Sequence, residues 1–251
     1  MFSMLLALPL YASPLLPPVM DTLDKTQINW TAFRLEAKST YTSRAQSWEY
    51  RESLASQGAG DLLKRHIIDV PLQAEKTVED LLSNPDYIRY LQDGMHEWKT
   101  YETHYMAASN SVQVVGYINL QRYLRKVIIE HASSDISEEK GEYHTGMIID
   151  ARGLSFQPVV MPKVIDAEGI PVVDISGFSA SAAQDTLPVR YVSTPADPIC
   201  AKTVGKKPAL MRASGVEKGS LILDASTTLP SIEDLSAIVS TGNVVIVVDS
   251  L

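Results

Sequence analysis

Short runs of apolar residues that end in an Asp or Gly turn dominate the second half of this sequence. Residues 147–149 lead into the turn Asp-Ala-Arg-Gly at 150–153, and residues 159–164 lead into Asp-Ala-Glu-Gly at 166–169. Runs of Ile and Val that stop at such turns are typical of buried strands leaving a sheet. The run at 244–248 has no polar alternation, which predicts a central strand covered on both faces.

The length and the charge pattern predict two domains. A chain of 251 residues can form one large domain or two of ordinary size, and a polar, acid-rich stretch near the middle favours two. The net charge of −8 opposes a general affinity for nucleic acid, because neutralising phosphates needs a basic face. We predict a proline-rich arm at 1–24, an α+β domain at 25–130, a polar linker at 131–142 and a strand-rich α/β domain at 143–251.

The first half of the sequence combines helical and strand-like spacing of its apolar residues. Residues 41–63 carry their apolar side chains within an arc of about 100°, which predicts a long amphipathic helix. Residues 28–37 predict a strand with a bulge, and residues 101–118 alternate around a turn at 108–111, which predicts a hairpin. The fold class is therefore α+β: a small N-terminal sheet with the long helix packed on one face, followed by a strand-rich α/β C-terminal domain.

The N-terminal residues resemble a signal peptide. The apolar run at 4–10 is followed by small residues and prolines, although no basic residue precedes it and the first one is Lys25. This segment predicts export, and the alternative is a hydrophobic arm that packs on a neighbouring subunit. No apolar run reaches the roughly 18 to 20 residues that cross a bilayer, so we predict no transmembrane helix.

Three predicted strands end in an acid, at Asp150, Asp224 and Asp249. If these strands were parallel neighbours, the carboxylates would meet at one sheet edge and could bind a divalent metal for hydrolytic chemistry. The alternative is that each Asp forms an ordinary turn after its strand, with Asp150 paired to Arg152 in a structural corner.

Other chemically capable residues lack partners at a useful spacing. Cys200 is the single cysteine, so no intrachain disulfide forms. It could be a reactive thiol near the basic residue Lys202, but without a general base to pair with it a structural cysteine is favoured. Glu52 projects into the apolar stripe of the long helix, where it has a partner or reaches the edge. We expect no catalytic, cofactor-binding or metal-binding residues. The remaining candidates are the five histidines, none at zinc spacing (His66, His96, His104, His131 and His144), and a basic group that suits a solvated helix face (Arg122, Arg125 and Lys126).

The stretch 145–154, Thr-Gly-Met-Ile-Ile-Asp-Ala-Arg-Gly-Leu, carries a resemblance that residues 28–30, 112–118 and 244–249 extend over most of the chain. Together they resemble the FlgP-like family of bacterial flagellum-associated outer-membrane lipoproteins, which includes the flagellar basal-disk protein. The resemblance implies a structural role in the periplasm or at the outer membrane, without a cofactor. Ser13 and Pro14 stand where that family carries its lipid-bearing cysteine.

We therefore expect a non-enzymatic protein that associates with itself and with other envelope or flagellar-motor proteins. The arm at 13–20 and the hairpin at 101–119 are the expected contact elements. The alternatives are the metal-dependent hydrolase described above and a ligand- or glycan-binding module. The latter would need an exposed aromatic cleft formed by Trp30, Trp48 or Trp98.

Overall fold

A computed structural model describes residues 16–136 and 142–250. The predicted signal-like run at 4–10, with Ser13 and Pro14, and residues 137–141 of the predicted linker lie outside these residues. No helix in the described part has the length and apolar character needed to span a membrane.

The first half contains seven strands and four α-helices within the described residues. Short 3-10 helices occur at Ile67–Asp69, Val78–Ser83, Met95–Glu97 and Ala107–Ser109. The strands are β1 Met20–Leu23, β2 Thr26–Asn29, β3 Arg34–Thr42, β4 Pro71–Gln73, β5 Lys76–Thr77, β6 Lys99–Met106 and β7 Ser111–Asn119, and the helices are α1 Trp48–His66, α2 Pro85–Gly94, α3 Leu120–Tyr123 and α4 Arg125–His131.

An antiparallel sheet with the strand order β1-β2-β3-β7-β6 forms the core of this half. Helix α1 packs on one face, where Ala55 and Ala59 contact Val112 and Val114 of β7. These small side chains let the helix approach the sheet closely. The predicted small sheet with a long helix on one face is therefore confirmed.

Two local predictions in this half were wrong. The apolar pattern at 28–37 is not a bulged strand: β2 and β3 are joined by a turn in which Trp30 and Phe33 are both buried, and Phe33 takes a positive φ of 53°. Helix α1 begins after Ser47, whose side chain accepts a hydrogen bond from the Tyr50 N–H, and not at Tyr41. Tyr41 still belongs to β3, because that strand remains paired with β7 along its whole length.

The second half contains the larger sheet. Its 3-10 helices are Ile175–Gly177 and Ala182–Gln184. The strands are β8 Gly146–Asp150, β9 Val164–Ile165, β10 Pro171–Val173, β11 Arg190–Val192, β12 Pro208–Glu217, β13 Ser220–Leu223 and β14 Val244–Val247, and the helices are α5 Pro198–Val204 and α6 Ile232–Thr241.

This sheet is mixed, with the strand order β10-β9-β13-β12-β8-β14-β11. Strands β12, β8, β14 and β11 are parallel, whereas β13 runs antiparallel to β12. All four residues of β14 are buried, as the absence of polar alternation predicted. The strand-rich C-terminal half is confirmed.

Two predictions about this half also need correction. Residues 159–162 are buried but do not form a strand, since Pro158 precedes this segment and Pro162 ends it, and a proline cannot donate to a ladder. The loop expected around Cys200 contains helix α5, which Asp197 caps by accepting from the Ile199 N–H.

One hydrophobic core cluster includes residues of both halves. Trp30, fully buried in the turn after β2, makes edge contacts with Phe33 and with Tyr191 of β11, at centroid distances of 5.8 and 5.7 Å. The Tyr191 hydroxyl donates to the Val159 carbonyl at 2.9 Å. The two sheets are thus joined through an aromatic group, while the predicted boundary at 131–142 remains a prediction.

Candidate functional site

The ends of β8 and β14 bring two of the predicted aspartates together. These strands are parallel neighbours, and Val247 of β14 lies opposite Asp150 of β8. Asp249 follows two residues later, and its Oδ2 accepts a hydrogen bond of 2.8 Å from the Gly153 N–H. The Asp249 carboxylate therefore holds the turn at 150–153 against the end of β14.

Asp224 reaches the same region by a different route from the predicted one. Strand β12 runs parallel to β8, with Arg212 opposite Asp150, and continues beyond the end of β8. Strand β13 then returns antiparallel, so the Asp224 N–H donates to the Arg212 carbonyl at 2.9 Å. The condition set out above, three parallel neighbouring strands, is not met, yet β12 is long enough for its hairpin with β13 to carry Asp224 back to this edge.

Two arginines occupy the space between these carboxylates. Arg152 binds Asp150 with both ends of its guanidinium, Nε to Oδ1 at 2.8 Å and Nη2 to Oδ2 at 2.6 Å, and its own N–H donates to Oδ1 at 3.1 Å. The hydrogen bond from Arg152 holds the pKa of Asp150 below its ordinary value, and the charge of Arg212 adds to this effect. The predicted structural corner of Asp150 and Arg152 is present.

Asp224 is also engaged by its neighbours. Its Oδ1 accepts from the Ser226 hydroxyl at 2.6 Å and from the Ser226 N–H at 2.8 Å, and these bonds lower its pKa, with the charge of Arg212 contributing less. The edge is a shallow depression lined by Asp150, Arg152, Gly153 and Arg212. Within residues 16–136 and 142–250, no group of three or more His, Cys, Asp or Glu side chains is placed to hold a metal ion. The arginines therefore make this an ion-pair cluster.

A buried carboxylate anchors the start of β8. Asp234, on the first turn of α6, accepts from the N–H groups of Tyr143 and His144, each at 3.2 Å, and lies 3.1 Å from the His144 Nδ1. Burial disfavours the charged form of Asp234, but these hydrogen bonds outweigh it and its pKa is lowered. Sequence reasoning missed the pairing of His144 with Asp234, because the two residues lie ninety positions apart.

The other predicted candidates are spread over the molecule. Cys200 is buried in α5, and burial followed by the charge of Asp197 raises the pKa of its thiol. Glu52 has partners, since its carboxylate accepts from the Tyr105 hydroxyl at 2.8 Å and from the Thr103 hydroxyl at 3.3 Å. The remaining histidines have separate neighbours or are exposed: His66 contacts Asp69, His104 contacts Glu102, His131 contacts the Val127 carbonyl, and His96 is exposed.

Two members of the predicted basic group, Arg122 and Arg125, line a groove with mixed charge. Arg122 pairs with Glu97 at 2.6 Å, while Lys126 lies over the Tyr87 and Tyr90 rings. Arg125 is exposed and lines the groove, as does Asp185 from the second half. Acids and bases alternate here, so the groove presents no continuous basic surface.

The tryptophans do not form an exposed aromatic cleft. Trp30 is fully buried, and Trp98 is half-buried between Gly60 and Gly116, where a Cβ on either glycine would lie 3.0 to 3.1 Å from the indole ring. Trp48 is half-buried, with the Arg51 guanidinium 4.0 Å from its ring centroid.

Two well-exposed aromatic residues lie on β6. This strand forms an edge of the N-terminal sheet, and Tyr101 and Tyr105 are 60% and 55% exposed. A bulge at Tyr101 interrupts the pairing with β7 and places that ring against Tyr117, with Arg34 within 5.0 Å of both rings. The predicted hairpin at 101–119 is therefore present as β6 and β7, with β6 on the outside.

The comparisons with known proteins concern the second half of the chain. Residues 146–250, less than half of the chain, match the family model described as Treponema pallidum Tp0624, second domain. This region contains every strand of the larger sheet. No curated protein sequence matches the chain.

Proposed function

We propose that this protein is a non-enzymatic structural subunit of a bacterial cell-envelope assembly, which acts by associating with further copies of itself. The observation that carries this proposal is the free edge formed by β6. Its eight residues are exposed or half-exposed, and two tyrosines stand on it. An exposed strand edge offers backbone donors and acceptors to another chain, and exposed tyrosines are common in protein interfaces.

The flagellar part of the proposal has a separate basis. It rests on the resemblance of residues 145–154 and 244–249 to the FlgP-like lipoprotein family, and it places the protein in a ring or disk of the flagellar motor, in the periplasm near the outer membrane. The match of residues 146–250 to a domain of Treponema pallidum Tp0624 is compatible with this proposal but does not test it.

The ion-pair cluster supports a structural role better than a catalytic one. A general acid or a metal ligand needs a carboxylate oxygen that is free to engage a substrate or an ion. Both oxygens of Asp150 are held by Arg152, and Asp249 fastens the Gly153 N–H. Such pairs fix a turn, whereas the alternative, a metal-dependent hydrolase, would need Arg152 and Arg212 to move away.

Two measurements test the proposal. Light scattering of the full chain over a wide concentration range should show a mass above that of one chain. Imaging of motors from cells with and without the protein should show a density that depends on it. A single-chain mass at all concentrations would contradict self-association, and an unchanged motor would contradict the flagellar assignment alone.

The hydrolase alternative has its own test. Titration calorimetry with Mg²⁺, Mn²⁺ and Zn²⁺ should show no saturable binding, because the carboxylates are already paired. Binding that is lost in Asp150→Asn but kept in the matched control Asp166→Asn, whose carboxylate sits in a separate turn, would favour the hydrolase.

A further inference from the structure

We propose that β6 pairs antiparallel with β6 of a second copy about a two-fold axis at Thr103, which joins two five-stranded sheets into one of ten strands. This inference rests on the proposed self-association and specifies its interface. The occupant of the free edge is thus the same strand of another copy.

The edge strands of the two sheets differ in length. In the described part of the chain, β6 is hydrogen-bonded to β7 on one side only and is eight residues long. The other edge strands are β1, with four residues, and β10 and β11, with three each. Only β6 among these presents enough backbone for an extended ladder.

Symmetry limits the registers that are possible. A two-fold axis that relates two antiparallel copies of an edge strand is perpendicular to the sheet. Each side chain therefore lies opposite a side chain of the other copy that is on the same face of the combined sheet. The strands must therefore be centred on a residue and not between two residues. Helix α1 of both copies then lies on the same face.

Charge selects among the three central registers. Centring on Glu102 places this carboxylate against itself, and centring on His104 places the imidazole against itself. Centring on Thr103 places Glu102 of each copy opposite His104 of the other. Opposite like charges destabilise a strand pair, whereas a histidine can donate a hydrogen bond to a carboxylate.

The two side chains are already arranged for such contacts. Within one chain His104 Nε2 lies 3.1 Å from Glu102 Oε1, and their side chains are 47% and 51% exposed. They flank Thr103 on the side of the strand opposite to α1, since Thr103 itself bonds to Glu52 of α1. In the Thr103 register the Glu102 and His104 side chains of the two copies would form one group of four around the axis, in which carboxylate and imidazole alternate.

A single cysteine tests the register directly. Residues directly opposite in an antiparallel pair have Cα atoms about 4.5 to 5.5 Å apart, which a disulfide spans. In a Cys200→Ala background, Thr103→Cys should form a covalent dimer under mild oxidation at least ten times faster than Thr40→Cys. Thr40 is the control, an exposed threonine on β3, which β7 separates from β6.

A second pair of variants tests the charge argument. His104→Glu should weaken the dimer at least tenfold in sedimentation analysis, because it sets carboxylates against each other. The exchange Glu102→His with His104→Glu should restore it. Both side chains are about half exposed, so circular dichroism should show an unchanged fold.

The outcomes separate this inference from the broader proposal. Self-association without cross-linking of Thr103→Cys would overturn the β6 interface and leave the structural role standing. Cross-linking of His104→Cys in place of Thr103→Cys would overturn the register. A monomer at every concentration would overturn both.

Discussion

Replacing Trp30 by alanine tests whether the two sheets fold as one cooperative unit. Trp30 belongs to the N-terminal sheet, but its ring packs against Tyr191 of the C-terminal sheet as well as against Phe33. If the shared core is essential, losing this ring should destabilise strands that lie far from it in the sequence. If each half is stable alone, the loss should stay local.

The size of the effect follows from burial and from one unpaired group. Truncating a buried tryptophan to alanine costs about 3 to 5 kcal/mol. The indole N–H of Trp30 is buried without a hydrogen-bond partner in the described part of the chain, so removing it offsets about 1 kcal/mol of that loss. We expect a net loss of about 3 kcal/mol for Trp30→Ala. Trp30→Phe, which keeps a ring and removes the N–H, should lose only about 1 kcal/mol.

Hydrogen exchange measured by mass spectrometry reports this loss in each sheet separately. Core amides that exchange by global unfolding lose protection by the full change in unfolding free energy. A loss of 3 kcal/mol corresponds to roughly 150-fold faster exchange, at tenfold per 1.4 kcal/mol. We expect this acceleration both in β3 and in β14, with a smaller, parallel change for Trp30→Phe. Acceleration in β3 with unchanged exchange in β14 would refute the shared-core reasoning.

Two further predictions concern the contacts that hold the larger sheet. Gly146→Ala should lower the free energy of unfolding in urea by about 1 to 3 kcal/mol, since its Cβ would lie 2.5 Å from the Val204 Cα of α5. In the control Gly215→Ala the added Cβ meets nothing within 4 Å, so the loss should be less than about 0.5 kcal/mol. The lowered pKa of Asp234 means that its carboxylate stabilises the fold above its ordinary value near 3.8 and ceases to do so as the pH falls through the lowered value. The stability difference between the wild type and Asp234→Asn should therefore shrink as urea midpoints are measured from pH 6 down to pH 3, and a constant difference would contradict this assignment.

Local patterns predicted the elements that depend on local chemistry. The hairpin of β6 and β7, the buried strand β14 and the turn at 166–169 follow from alternation, burial and turn residues that are close in sequence. Helix α5 was missed because it has only seven residues. Its signal was present, since Asp197 followed by Pro198 is a capping residue before a first-turn proline.

The ion-pair cluster shows where sequence reasoning stops. Three strands ending in Asp were recognised, but their meeting depends on which strands pair and on how long β12 is. Arg212 was missed altogether, because it lies in mid-strand and becomes a neighbour of Asp150 only through the β8 and β12 register. The sequence pattern alone suggested a set of carboxylates, and the pairing of distant segments added the arginine that neutralises them.

The edge position of β6 also depends on the pairing of distant segments, and it bears on the proposed role of this strand. The hairpin was predictable, yet the placement of β6 outside β7 depends on β3 pairing with β7 from a distant part of the chain. Natural edge strands avoid indiscriminate pairing by bulges and by charged residues, and β6 has a bulge at Tyr101 and charges at Lys99 and Glu102. These features disfavour a generic partner strand, but an antiparallel copy of β6 supplies His104 opposite Glu102. An edge protected in this way remains open to a partner with the complementary pattern, and the strand's own copy is such a partner.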